Sequence, residues 1–179
     1  MPGNLVPNQM YDHECNMLKG WWHPHVVDKS AEIADGETIL AGSVCYLDST
    51  GKFRSGLPDN TQGMFAWPSS TDFDVAADVG NTQKAVMTAL PTLATYELFT
   101  TEFDATKTYA INDYLTAWHD QLLGFSVELR GKVRPGLPYH NTLVGQVSGL
   151  VKNNDFGKSV LTLWTYHLPV DLTNPSSEA

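Results

Sequence analysis

Apolar and polar positions alternate with a period of two along several stretches of this chain, the pattern of strands with one buried face. The longest such run is residues 125–134. Phe125, Val127, Leu129, Gly131 and Val133 share one face, and Ser126, Glu128, Arg130, Lys132 and Arg134 share the other. It predicts a strand with one apolar and one charged face, broken by the prolines at 135 and 138. Residues 142–151 predict a second long strand. Gly145 and Gly149 fall on its Leu143, Val147 and Val151 face, where glycine signals a bend or the close approach of another segment. Turn residues follow at 153–157, and residues 159–167 predict an antiparallel return. Residues 96–103 alternate as well, with Phe99, Thr101 and Phe103 on one side. Residues 37–54 read as strand, turn and strand. Val44 and Tyr46 point one way, Cys45 and Leu47 the other, so this strand is expected to be covered on both faces. Asp48-Ser49-Thr50-Gly51 supplies its turn.

The remaining stretches are less regular. Residues 1–35, punctuated by Pro2, Gly3, Pro7, Gly20 and Pro24, predict an irregular N-terminal arm. Residues 55–81 are loop-rich around a short apolar piece, Met64, Phe65 and Trp67. Residues 82–91 allow a short helix or a loop, and 114–123 a helical turn or a covering loop. The division expected is an extended arm over 1–35, a β domain over 36–170 and a tail over 171–179. The fold class is mainly β, an antiparallel barrel or sandwich with an irregular N-terminal arm.

Charge narrows the choice of partner. The chain has 179 residues and a formal net charge of −9. Residues 1–80 carry four Lys/Arg against eleven Asp/Glu, and the rest seven against nine. Such a chain repels nucleic acid and anionic membrane. Two cysteines make no disulfide framework. The N-terminal residues show no basic lead and no apolar run, so no signal peptide is expected. No run of about 20 apolar residues predicts a membrane span.

Little of the chain looks catalytic. His23-Pro24-His25, with His13 and Cys15 nearby and His140 or His167 further off, is the one metal-like set. It lacks a carboxylate at a telling spacing, so neither metal nor cofactor is expected. Asp72, Asp74 and Asp78 lack the glycine and closing glutamate of a calcium loop. Ser148 sits one place late for a nucleophile elbow, and Glu97 and Glu102 would lie on opposite strand faces, which suits no acid/base pair. No enzyme activity is expected. Two groups are candidates for partner contact. Adjacent Trp21 and Trp22 cannot point the same way in an extended chain: either one packs on the domain and the other reaches a partner subunit, or both pack within the monomer. Arg130, Lys132 and Arg134 would form a basic row, either a solvated face or a docking face for an acidic neighbour, including the acidic half of another copy.

Taken together the chain resembles the head decoration (cement) proteins of tailed bacteriophages. The resemblance lies in Ile39-Leu-Ala-Gly-Ser-Val-Cys-Tyr-Leu-Asp-Ser-Thr-Gly-Lys-Phe53, in Met64-Phe-Ala-Trp67, in Leu90-Pro91 followed by Tyr96-Glu-Leu-Phe-Thr-Thr-Glu-Phe-Asp104, and in Leu143-Val-Gly-Gln-Val-Ser148. It covers residues 36–170. It implies a virion protein on the outer capsid surface, assembled in the host cytoplasm, often a homotrimer, that bridges major capsid proteins. A second expectation, of a different class, is a small β-sandwich carbohydrate-binding module of a virion appendage. Trp67, Trp118 and Tyr139 would then stack on sugar rings. A third is a metal-dependent β-barrel enzyme of cupin type.

Overall fold

The computed structural model describes residues 4–6, 15–20, 29–58, 61–67, 86–91, 96–118, 129–136, 143–153 and 157–165. Among these the chain is mainly β, with thirteen strands and no α-helix. Six strands form one open sheet in the order β11 (Val133–Pro135), β10 (Tyr114–Ala117), β12 (Gly145–Asn153), β13 (Ser159–Trp164), β9 (Tyr96–Thr100) and β2 (Cys15–Gly20). Five form a second, ordered β3 (Lys29–Glu32), β8 (Val86–Pro91), β7 (Met64–Trp67), β5 (Val44–Leu47) and β6 (Phe53–Ser55). All pairings in both sheets are antiparallel. A short parallel pair, β1 (Asn4–Val6) with β4 (Thr38–Leu40), completes the set. Neither large sheet closes into a barrel; the arrangement is sandwich-like.

Alternation explains how the two sheets share a core. Leu98, Leu115, Val133, Val147, Leu161 and Leu163 from the first sheet pack with Val44 and Phe65 from the second. The other face of the second sheet is buried too. Cys45, Phe53, Met64, Ala66 and Ala89 pack there with Ile33 and Ile39. Strand β5 is therefore apolar on both sides because it has a core on both sides, as its sequence predicts. Thr100 is a fully buried polar link between sheets. Its hydroxyl donates to the Gly42 carbonyl at 2.7 Å and accepts from the Glu102 N–H at 3.0 Å.

Several sequence expectations change. The stretch read as an irregular arm contributes β1, β2 and β3, each an outermost strand of its sheet. Residues 86–91 form strand β8, not a helix, since Ala89 faces a core that a short polar helix would not fill. Residues 114–117 form strand β10, with Leu115 and Ala117 in the core and Tyr114 exposed. Of the long strand expected over 125–134, residues 125–128 lie outside the described residues, and among the rest only Val133 and Arg134 are in a strand, β11 (Val133–Pro135). Residues 129–131 turn instead. Gly131 takes φ +79°, and the Lys132 N–H donates to the Leu129 carbonyl at 3.0 Å. Of residues 96–103, strand β9 runs only to Thr100, and Phe103, bridged in parallel to Val133, reaches the core from beyond the strand end.

The β5–β6 turn is built as its sequence suggests, with Gly51 at φ +79°. Asp48 Oδ1 accepts from the Thr50 N–H at 2.8 Å, the Thr50 hydroxyl at 2.6 Å and the Lys52 N–H at 3.1 Å. Oδ2 accepts from Arg54 Nε at 2.9 Å. The Thr50 hydroxyl, helped by Lys52 and Arg54 and opposed by partial burial, holds this carboxyl below the usual carboxylate range. A depressed folded-state pKa gives stability that is complete above the unfolded pKa and lost as pH falls through the folded one. Unfolding in urea should thus show stability falling below about pH 4. Asp48→Asn should cost about 1–2 kcal/mol at neutral pH and flatten that acid limb. An acid limb unchanged in the variant would contradict this role.

Candidate interaction face

The outward face of the six-stranded sheet is set by the same alternation. With Leu115, Val147, Leu163 and Leu98 inside, their neighbours Tyr114, Gln146, Trp164 and Glu97 lie side by side outside, in register across four strands. Ser148 belongs to this face and its hydroxyl donates to Glu97 Oε1 at 2.8 Å. Tyr114 is 42% exposed and Leu150, further along β12, is 54% exposed. Ile111, 56% exposed, sits in the turn before β10, where the Asn112 N–H donates to the Val147 carbonyl at 2.9 Å. Asn112 supplies the turn with φ +72°, a backbone state that asparagine tolerates. Tyr114 and Ile111 thus stand in solvent near the Gly145 end of β12, and Leu150 further along it, beyond a register shift between Val147 and Gly149.

Beside this row, on β11 and the end of β10, lies a cation on an aromatic ring. The Arg134 guanidinium carbon stands 3.6 Å from the centroid of the Trp118 ring. The indole is buried, and its N–H donates to Asp104 Oδ2 at 3.1 Å. Asp104 Oδ1 accepts from the Thr106 N–H at 3.0 Å and the Thr106 hydroxyl at 2.6 Å. Burial pushes the Asp104 carboxyl up, but the bonds from Thr106 and Trp118 outweigh it and leave the group below its ordinary value. The Tyr109 hydroxyl lies 2.9 Å from the Asp104 carbonyl and 3.1 Å from that of Val133, its ring edge-on to Phe103. These contacts hold Trp118 in place, and the Arg134 guanidinium sits over its ring. Burial lowers the Arg134 pKa, with Asp104 acting in the opposite sense; the group stays cationic at neutral pH.

The basic row expected from sequence is split. Arg130 belongs to the turn at 129–131, not to a strand. Its Nη1 reaches Glu37 Oε1 at 3.5 Å, and its carbonyl accepts from the Ser55 hydroxyl at 3.2 Å. Glu37 also binds Arg54 Nη1 at 3.3 Å, so Arg130 joins an ion cluster that ties the turn to the β5–β6 hairpin. Gly131 causes the split: its left-handed backbone reverses the chain between Arg130 and Lys132. Lys132 and Arg134 keep the same parity, and the Lys132 carbonyl accepts from the Trp118 N–H at 3.0 Å. Of the five residues singled out, Lys132 and Arg134 are brought together, Arg130 is directed elsewhere, and Trp21 and Trp22 lie outside the described residues.

The other candidates fare differently. Among the described residues no group of three His, Cys, Asp or Glu is placed to hold a metal ion. His13, His23, His25, His140 and His167 lie outside them, as do Asp72, Asp74 and Asp78. Trp118 is capped by Arg134 and offers no open face to a sugar ring. Tyr139 lies outside the described residues, and only the backbone of Trp67 is described. Neither Tyr114, in a stretch whose sequence allows a helical turn or a covering loop, nor the pairing of Asp104 with Trp118 stands out in the sequence. The Asp104-x-Thr106 spacing is a legible turn signal, but nothing local joins it to an indole fourteen residues away. No protein-family model, no curated protein and no solved structure matches this chain.

Proposed function

We propose that this chain is a virion structural protein that binds the outer surface of a tailed-phage capsid and stabilises the shell by bridging major capsid proteins. The observation that carries the reading is the outward face of the six-stranded sheet. Tyr114 stands exposed there, Ile111 in the adjoining turn and Leu150 further along β12, next to an arginine stacked on a buried tryptophan. Exposed apolar groups gathered on one face mark contact surfaces, and aromatic and arginine anchors carry most of the energy in such contacts. The resemblance in residues 36–170 supplies the kind of partner. Elsewhere, Asp48, Glu37, Asp104 and Thr100 are engaged in bonds that hold the fold. A cement protein works the same way, by buried area and mass action and not by chemistry.

The test is the heat resistance of undecorated capsids with and without the chain. Added protein should raise the temperature at which the shells release their contents, and Tyr114→Ala/Leu150→Ala should reduce the gain. Shells that open at the same temperature at saturating protein would contradict the reading. One feature favours the carbohydrate-binding alternative. The register row Tyr114, Gln146, Trp164 sets an amide between two aromatics, an arrangement that can stack on and hydrogen-bond a sugar. A glycan array read by Tyr114 and Trp164 variants separates the two.

A further inference from the structure

We infer that Asp35 is a site of covalent modification, where the chain isomerises to isoaspartate through attack by the Gly36 backbone nitrogen. The inference is independent of the reading above. Asp35-Gly36 is the single Asp-Gly pair in the chain, and there is no Asn-Gly pair. It lies between β3 and β4, in a turn that the Glu37 N–H closes on the Ala34 carbonyl at 3.1 Å. Gly36 takes φ +77°, and nothing lies within 4 Å of where a Cβ would stand. No side chain on Gly36 therefore hinders ring closure at its nitrogen. Among the described residues no hydrogen bond holds the Gly36 N–H. The Asp35 side chain is 72% exposed. Its one ion pair among the described residues is with Lys52 Nζ at 3.7 Å, and Lys52 also pairs with Glu32 at 3.4 Å. An exposed pair of that length restrains a carboxyl little.

The reaction needs nothing but water. The Gly36 nitrogen bonds to Asp35 Cγ, the nitrogen's proton and the carboxyl hydroxyl leave as water, and a succinimide ring forms. Water then opens the ring at the main-chain carbonyl. The chain now runs through Cβ and Cγ, longer by one methylene at unchanged mass. Other aspartates in the described turns are tied down. Asp48, which precedes the small Ser49, accepts from Thr50, Lys52 and Arg54. Asp104 accepts from Thr106 and Trp118, and Asp113 accepts from the Ala110 N–H and precedes the bulky Tyr114. The added methylene falls two residues before Glu37, which accepts from Arg54, Arg130 and the Ser55 N–H. Isomerisation thus displaces the carboxylate that ties the turn at 129–131 to the β5–β6 hairpin.

Ageing the purified full chain for several weeks at neutral pH and physiological temperature tests this. Trypsin then releases Ser30–Lys52, a peptide that holds both Asp35 and Asp48, and electron-transfer fragmentation locates the isoaspartate. Isoaspartate should accumulate at 35, after a transient species lighter by one water, and stay at background at 48. Gly36→Asn, which tolerates the left-handed backbone but adds a Cβ, should lose most of the signal. If that variant does not fold, Asp48 in the same wild-type peptide remains the control. Aged wild type should melt a few degrees below fresh protein. Asp35→Glu, which places the carboxyl one carbon further out, should keep its melting temperature. Asp35 that stays normally linked throughout, or isoaspartate that forms equally at 48, overturns the site. Equal isomerisation in folded Gly36→Asn overturns the part given to glycine. Isomerised protein that melts like fresh protein overturns the link to Glu37.

Discussion

Gly145→Ala is expected to destabilise the fold by more than about 3 kcal/mol and to lower the melting temperature by roughly 10 °C. A Cβ at this position would stand 2.1 Å from the Trp164 carbonyl oxygen, 3.0 Å from its carbonyl carbon and 3.1 Å from Leu163 Cδ1. The first two are backbone, so no side-chain rotation relieves them. Strand β13 would have to move away from β12 in the middle of the six-stranded sheet. That movement disturbs the Gln146–Trp164 and Val147–Leu163 pairs and, through Leu163, the packing against Leu98. Gly157→Ala is the matching control. It has φ +76° but nothing within 4 Å of an added Cβ, so it carries backbone strain alone, about 1 kcal/mol. Thermal unfolding of both variants should separate them clearly. Equal melting temperatures would contradict the close approach of β12 and β13.

The second large effect is at Gly131. Alanine there meets the Val44 carbonyl and Ser55 Oγ, each at 2.7 Å, and must also adopt φ +79°. Strain and clash together should cost about 3 kcal/mol. The Val44 N–H donates to the Gly131 carbonyl at 2.8 Å, and the Gly131 N–H to the Trp118 carbonyl at 2.7 Å. The substitution therefore attacks the joint between the sheets and the mounting of Trp118 together. Limited proteolysis should cut near residues 129–131 faster in Gly131→Ala than in wild type. Adding Ser55→Ala should not rescue the variant, because the Val44 carbonyl remains. Rescue would place the conflict in the Ser55 side chain alone.

These two glycines show what was legible in the chain and what was not. Gly145 announced itself: a glycine in a strand of otherwise apolar inward positions signals close approach, and the Trp164 carbonyl is what approaches. The β5–β6 hairpin and the two-sided burial of Val44 and Cys45 were equally plain, because turn chemistry and apolar content on both faces are local properties. Gly131 misled, since an apolar-polar alternation through residues 125–134 treats glycine as one more inward position. Only the contact with Val44 and Ser55, more than seventy residues away in sequence, makes it a turn. Strands β1, β2 and β3 were hidden for a related reason. Outermost strands in polar, proline-punctuated sequence take their conformation from the partner strand. The interaction face was half legible. Arg134 and Lys132 stood out as cations, but Tyr114 and the Asp104–Trp118 support become visible only once strand β10 is in its sheet.

On the proposed function, the chain binds a phage shell. The most direct measurement is co-sedimentation of the purified protein with expanded, undecorated capsids across a titration. Binding should saturate at a fixed ratio of this chain to major capsid protein, with affinity reduced by Tyr114→Ala/Leu150→Ala. Protein that stays in the supernatant at every ratio, while folded and in excess, would contradict it.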